Sequence, residues 1–428
     1  MARLERRIRD IGGALRRAAD LERDGVSARE RAALVRDGAL VRVRRGWFAR
    51  AEDWRAWFPE DRHVAAVLAA HRDAATPPLF SHHSAAALLG LPLWRLRAEP
   101  VHVISTRCAA SGSGIRRHDL RVPRRDLDGV AGVRCTGFER TLLDLARVAD
   151  EAALVGIADA VLRRAVGAGR GIDPDRVEAW RRGMRERCDD AGGMRGARLL
   201  RRVIAFADPR ADSVLEGVSR LHFARLGIAV DLQRRVPRED GGHYDVDFEL
   251  LGLGVLGEAD GEAKFTDPGM LGGRTPQEAE LRERRRDHWI TGSTGRRMIH
   301  WGYRDAQSTE RFAAMLRAYR IPLPTGRRGA APTDGTGLLA GPACGRDRAS
   351  SRTGRRAGSR YARAGAGAAG EPGSDTRGRR TRPRNAHPAS TPCARCRRGI
   401  VPHRIAPCAP RTSPYAICET PGNRTSIP

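Results

Sequence analysis

The sequence predicts a mixed α/β (α+β) protein with several domains and a disordered tail. Three observations predict this class: helix-like and strand-like segments alternate over residues 54–320, a helix–turn–helix–hairpin pattern fills residues 1–53, and residues 321–428 consist mainly of Arg, Gly, Ala, Pro and Ser. Apolar side chains are too sparse in that last stretch to offset the entropy of ordering it. A chain of 428 residues is long enough for two or three domains with their own cores.

The charge of the chain points to a polyanionic partner. It has 78 basic and 51 acidic side chains, a net charge of +27, which favours nucleic acid. Residues 321–428 contribute 20 Arg and 5 acidic residues, a net charge of +15, so the first 320 residues have a net charge of +12. Lys264 is the one lysine in the sequence.

Targeting signals and cofactor motifs are not recognisable. The first residues are charged without a following apolar run, and no stretch approaches the ~20 apolar residues of a membrane span. Cys108, Cys135 and Cys188 lack pairing spacing, which suits a reducing compartment. We therefore expect a cytoplasmic protein with no membrane association and no small-molecule cofactor.

Residues 1–53 have the pattern of a winged-helix DNA-binding segment. A helix from about Leu15 to Arg23 precedes a second helix, which Ser27 and Glu30 begin as a capping box. Strands at 40–43 and 46–49 then form a hairpin, the wing. The predicted DNA contacts are the basic residues of the recognition helix and the wing, namely Arg29, Arg31, Arg36, Arg42, Arg44 and Arg45. The alternative is a solvated basic face.

Residues 54–166 predict a mixed α/β middle domain, and residues 167–211 a linker with helices. Helices are expected at 63–71, 81–89 and 138–148, with a strand at 101–104. His82 and His83 are interpreted as polar residues at a helix end rather than metal ligands. Arg140 and Asp144, four residues apart, are interpreted as a structural ion pair.

Residues 212–320 predict a third α/β unit. Helices are expected at 213–226, 276–290 and 308–319, and strands at 228–232, 244–250, 255–259 and 297–301. This alternation of helices and strands suits a mixed sheet.

Acidic residues on the central strands of this unit predict a metal site. Glu258 and Asp260 are two residues apart and share one face of a strand, and a hairpin would bring Asp247 beside them. Three carboxylates at one point need a cation, and oxygen ligands favour Mg²⁺ or Mn²⁺. Glu216 and Lys264 are the supporting candidates. The alternative is that the acids are solvated and that Asp260 only begins a turn at Gly261.

A phosphodiester substrate fits this metal site. A divalent cation polarises a phosphate and lowers the pKa of a bound water, which makes hydrolysis the expected reaction. Arg284 and Arg286 on the long charged helix are the candidates for holding the DNA backbone.

Residues 212–319 resemble the Vsr-like (very-short-patch-repair-like) domain of unknown function, a branch of the restriction-endonuclease-like PD-(D/E)XK superfamily. The resemblance rests on the helix with Ser213 and Glu216, Val246 to Phe248, Glu258 to Gly261 with Lys264, Glu283 to Asp287, and the Met-Ile-His-Trp strand. It implies a restriction-endonuclease-like fold, with Asp247, Glu258 and Asp260 as candidate metal ligands and Glu216 and Lys264 in support. Asp260 stands where the superfamily pattern has its lysine.

Residues 14–164 resemble AbiEi-type antitoxins of type IV toxin–antitoxin systems. The resemblance rests on residues 40–49, 84–92 and 139–146. It implies a winged helix that binds promoter DNA and represses transcription, so the operator of a cognate toxin gene is a candidate partner.

Three functions follow from these features. The first is a DNA-binding protein with a Mg²⁺- or Mn²⁺-dependent endonuclease domain. The alternative is a non-enzymatic antitoxin or transcriptional repressor whose nuclease-like domain is inactive. The third is a general nucleic-acid binder dominated by the basic tail, in which the spacing of Cys393, Cys396, His403 and Cys408 is interpreted as chance rather than a zinc site.

Overall fold

Helices and β-sheets alternate along the part of the chain that the computed structural model describes, which confirms the predicted α/β class. The described residues are 1–96, 100–105, 114–169, 171–261 and 275–324, and all belong to one compact unit. The predicted tail lies outside them from residue 325 onward. Within the described ranges, no helix is both long and apolar enough to cross a membrane.

The N-terminal segment contains the predicted helix–turn–helix and hairpin. Ser27 and Glu30 form the expected capping box, since each side chain accepts a hydrogen bond from the other residue's backbone N–H. The elements are α1 (Ala2–Ala14), β1 (Arg16–Arg17), α2 (Ala18–Arg23), α3 (Ala28–Arg36), β2 (Leu40–Arg44) and β3 (Trp47–Arg50). The three strands form a sheet in the order β1-β3-β2.

The predicted helix from Leu15 to Arg23 is wrong in its first turn. Arg16 and Arg17 are extended and pair antiparallel with β3. Helix α1, which precedes them, was not predicted. Its apolar residues Ile8 and Ile11 pack into the main core of the protein, and this long-range packing is absent from the local pattern.

The middle segment is a five-stranded sheet covered by helices. The elements are α4 (Ala51–Ala56), α5 (Pro59–Asp73), β4 (Leu79–Phe80), α6 (His82–Leu88), β5 (Val101–Ile104), β6 (Ile115–His118), β7 (Leu127–Val130), β8 (Val133–Thr136), α7 (Phe138–Leu145), α8 (Glu151–Val166), α9 (Pro174–Asp190) and α10 (Ala197–Phe206). The strand order in the sheet is β6-β5-β4-β8-β7. The predicted Arg140–Asp144 pair is confirmed at 2.9 Å, and Asp144 is fully buried.

The C-terminal segment contains a four-stranded sheet. The elements are α11 (Val214–Arg225), β9 (Val230–Pro237), β10 (His243–Leu250), β11 (Val255–Asp260), α12 (Pro276–Thr294), β12 (Arg297–Gly302) and α13 (Thr309–Ala318). The strand order is β12-β11-β10-β9. Strands β9, β10 and β11 are antiparallel neighbours, whereas β11 and β12 are parallel and are connected through a helix, as parallel strands require.

Helices α8 and α11 join the middle and C-terminal segments. A Cβ on Gly217 would lie 2.7 Å from Asp159 Oδ2, and one on Gly156 would lie 2.5 Å from Val214 Cγ2, so only glycine permits this close approach. Arg220 donates to both carboxylate oxygens of Asp159 at 2.8 and 2.9 Å. Both side chains are buried, and removal of one partner from such a pair typically costs about 3–5 kcal/mol.

Candidate metal and nucleic-acid sites

The acidic residues predicted from the sequence lie on the adjacent strands β10 and β11 of the C-terminal sheet. The regular pairing of these strands ends with Phe248 opposite Gly257, and Val246 packs with Ile290 of α12 whereas Phe248 packs with Phe223 of α11, so the alternation of faces breaks at Asp247. Glu258 and Asp260 are two residues apart on β11 and share the face that α12 covers. The Oδ2 atom of Asp247 accepts a hydrogen bond of 3.0 Å from the Ala259 N–H, which holds its carboxylate against β11.

Glu216 reaches this region from the first turn of α11. Ser213 caps the helix by accepting a hydrogen bond from the Glu216 N–H. The Glu216 carboxylate accepts from the Asp212 N–H at 2.9 Å and from the Gln233 amide at 3.1 Å. Burial, together with the negative charge of Asp247, raises the pKa of Glu216 to about 7.

Glu258 is buried against an arginine of α12. Its Oε1 atom lies 2.7 Å from the Arg286 guanidinium, which also donates to the Asp245 carbonyl at 2.6 Å. Burial opposes the charge of the guanidinium, but the negative charge of Glu258 outweighs it and raises the pKa of Arg286. The sequence predicted Arg286 as a phosphate contact, whereas in the structure it neutralises Glu258.

Asp260 is part of a second charged network with β12 and α12. His300 Nδ1 lies 2.7 Å from Asp260 Oδ2, and its Nε2 lies 2.8 Å from Asp287 Oδ2. The hydrogen bonds with Asp260 and Asp287 raise the pKa of His300 to about 10, so the imidazole is protonated at neutral pH. Asp260, Glu283 and His300 each place a ligand atom within 4.8 Å of the others.

The predicted trio of Asp247, Glu258 and Asp260 does not form one tight group. Among the described residues, the sets of three whose ligand atoms all lie within 4.8 Å of one another are Asp260–Glu283–His300 and His82–His102–His118. Lys264 lies outside the described residues. His300 was not singled out from the sequence, although a polar residue inside the otherwise apolar strand Met-Ile-His-Trp was a signal that could have identified it.

The basic residues predicted to contact DNA differ in exposure. Arg29 and Arg36 on α3 and Arg42 and Arg45 on the hairpin are exposed. The side chain of Arg31 is only 14% exposed, pairs with Glu22 and lies over the Phe48 ring, so it supports the fold of the segment. Arg44 is partly buried, and Arg284 is exposed and pairs with Glu280 on its own helix.

No family model and no curated protein matches this sequence. The resemblances to AbiEi-type antitoxins and to the Vsr-like domain therefore stay predictions, and the functional assignment depends on the geometry of the two sites.

The His300 network predicts a specific pH dependence of stability. Because the folded-state pKa of about 10 exceeds the ordinary value of 6.5, the stabilisation is complete below about pH 6.5 and is lost as the pH rises through about 10. The difference in free energy of unfolding between wild type and His300→Gln should shrink over this range in urea denaturation. Met298→Leu, on the same strand as His300, removes no titratable group and is the control, so its difference should stay constant. A His300→Gln difference that is independent of pH would contradict the network.

Proposed function

We propose that this protein is a cytoplasmic DNA-binding protein whose C-terminal segment is a Mg²⁺- or Mn²⁺-dependent endonuclease. The observation that carries the proposal is the pair formed by Glu216 and Asp247. Burial and mutual repulsion make full ionisation of these two carboxylates unfavourable, as the raised pKa of Glu216 records. A divalent cation relieves this repulsion, and such perturbed carboxylates are typical of functional sites.

The donor set fits a hard divalent cation. Glu216 and Asp247 offer carboxylate oxygens, which Mg²⁺ and Mn²⁺ prefer. Each carboxylate is already oriented by a backbone N–H, from Asp212 and Ala259 respectively. An ion bound here would supply charge for a phosphate oxygen and a lower pKa for an attacking water.

The neighbouring cations of the chain suit a phosphodiester substrate. Arg286 neutralises Glu258 and so limits the negative charge that a DNA phosphate would meet. The protonated His300 adds a positive charge between Asp260 and Asp287, with its side chain 31% exposed. These two cations reduce the repulsion that a DNA phosphate would meet from the acidic residues of β10 and β11.

The N-terminal segment supports DNA binding. Its exposed arginines lie on α3 and on the β2–β3 hairpin, the two elements that contact DNA in a winged helix. Guanidinium groups there would neutralise phosphates, and the resulting affinity depends on salt through counterion release. The operator of a toxin gene is the specific site that the antitoxin resemblance implies.

A second candidate is the non-enzymatic antitoxin or repressor. It is favoured by the Glu258–Arg286 and Asp260–His300 pairs, which satisfy two of the three predicted metal ligands with cations of the protein itself. In that case the nuclease-like segment would act as a scaffold, and DNA binding would not require a divalent ion.

Plasmid cleavage distinguishes the two candidates. We expect the full chain to cleave supercoiled DNA in Mg²⁺ or Mn²⁺ but not in EDTA. Asp247→Asn and Glu216→Gln should lower the rate at least about 100-fold, because even changes around metal ligands cost about 10–100-fold. Agarose-gel analysis of plasmid nicking and linearisation measures the effect.

Glu280→Gln is the matched control, because it removes a carboxylate that is exposed on α12 and pairs with Arg284. It should cleave like the wild type, and thermal melting should show that all variants are folded. Wild-type cleavage in EDTA, or full activity of Asp247→Asn, would contradict the nuclease. DNA binding in EDTA without any cleavage would instead support the repressor.

The DNA interface predicts a change in salt dependence. Arg29→Ala and Arg45→Ala should each weaken binding and reduce the slope of log affinity against log salt concentration by about 1, as expected for one lost phosphate contact. Fluorescence anisotropy with a labelled duplex measures both quantities. Arg317→Ala, on the exposed face of α13, is the control. Unchanged slopes in the first two variants would exclude α3 and the hairpin as the interface.

A further inference from the structure

Three histidines converge in the middle segment, away from the acidic residues of the C-terminal sheet. His82 begins α6, His102 lies on β5 and His118 ends β6. His102 Nδ1 lies 2.9 Å from His118 Nε2, and the His82 ring stacks on the His118 ring with centroids 3.8 Å apart. One nitrogen of each residue lies within 4.8 Å of the others. Backbone segments far apart in sequence thus bring three imidazoles to one point.

The buried imidazoles suit a metal ion. His82 and His102 are fully buried, and burial disfavours the charged imidazolium. An uncharged ring has one nitrogen lone pair, as a ligand to a metal ion must. The 2.9 Å contact between His102 and His118 is consistent with one proton shared between two facing nitrogens.

His82 supplies a second, independent observation. Its Nδ1 lies 3.0 Å from Ser81 Oγ, which can hold the Nδ1–H tautomer, while its Nε2 is buried without a hydrogen-bond partner. A buried polar atom left unsatisfied costs about 1–3 kcal/mol. The backbone of His82 also has a φ of 51°, a conformation that is uncommon for residues other than glycine. An outer hydrogen bond that fixes the tautomer of a buried histidine is typical of metal ligands.

We infer that His82, His102 and His118 form a site for a transition-metal ion of the Zn²⁺ class. Three imidazole nitrogens suit Zn²⁺, Cu²⁺ or Ni²⁺ and disfavour Mg²⁺, which prefers oxygen. Zinc–nitrogen bonds of about 2.0–2.1 Å in a tetrahedral arrangement would separate the ligand atoms by roughly 3.3 Å, so only a small movement from the 2.9 Å contact is needed.

The ligand count leaves one position of a tetrahedral ion for a further ligand. Three histidines with an open fourth position are typical of catalytic rather than structural zinc sites. This site does not depend on the proposed nuclease, because its ligands and its preferred metal are different.

Titration of the full chain with Zn²⁺, and with Co²⁺ as a spectroscopic probe, tests the site. We expect Co²⁺ to give the visible absorption of tetrahedral nitrogen coordination, without the thiolate charge-transfer band that the tail cysteines would give. His118→Gln should lower the affinity at least about 100-fold, and Ser81→Ala about 10–100-fold through the lost orientation of His82. Competition with a chromophoric chelator measures both affinities.

His243→Gln, outside the cluster, should bind Zn²⁺ like the wild type, and circular dichroism should show that each variant is folded. Zn²⁺ should also raise the melting temperature of the wild type and not that of His118→Gln, because the ion stabilises only a protein that binds it. A wild type that binds no Zn²⁺, or a folded His118→Gln variant with unchanged affinity, would overturn the inference.

Discussion

The buried contact between α8 and α11 positions the rest of the C-terminal segment. The Asp159–Arg220 pair and the close approach at Gly156 and Gly217 fix α11 against the middle segment. Helix α11 also carries Glu216, next to Gly217. The contact that joins the two segments therefore also positions the Glu216 carboxylate relative to Asp247. A buried ion pair of this geometry tolerates little displacement, since a separated charge would be left without compensation.

Much of the fold could be predicted from local patterns. The Ser27–Glu30 capping box, the hairpin that follows it and the Arg140–Asp144 pair all depend on residues within a few positions of one another. The shared face of Glu258 and Asp260 also followed from the two-residue period of strands. Local spacing carried enough information in these cases because the partners share an element or adjacent elements.

The remaining features depend on long-range packing. Glu258 and Arg286 are 28 positions apart in sequence, and the pair forms only because α12, which carries Arg286, packs against the sheet. Likewise, His82, His102 and His118 look like unrelated polar residues until the sheet order β6-β5-β4 brings them together. The β1 strand at Arg16 and Arg17 forms because β3 offers it a free edge, which no local propensity could indicate.

The proposed nuclease activity depends on binding of a divalent ion by Glu216 and Asp247. Such binding requires Glu216, with a pKa of about 7, to lose its proton. Calorimetric titration with Mn²⁺ near neutral pH, repeated in buffers of different protonation enthalpy, measures that proton directly. Release of about half a proton per ion, abolished in Glu216→Gln, is the expected result. Mn²⁺ binding without proton release, or no binding, would contradict the metal site.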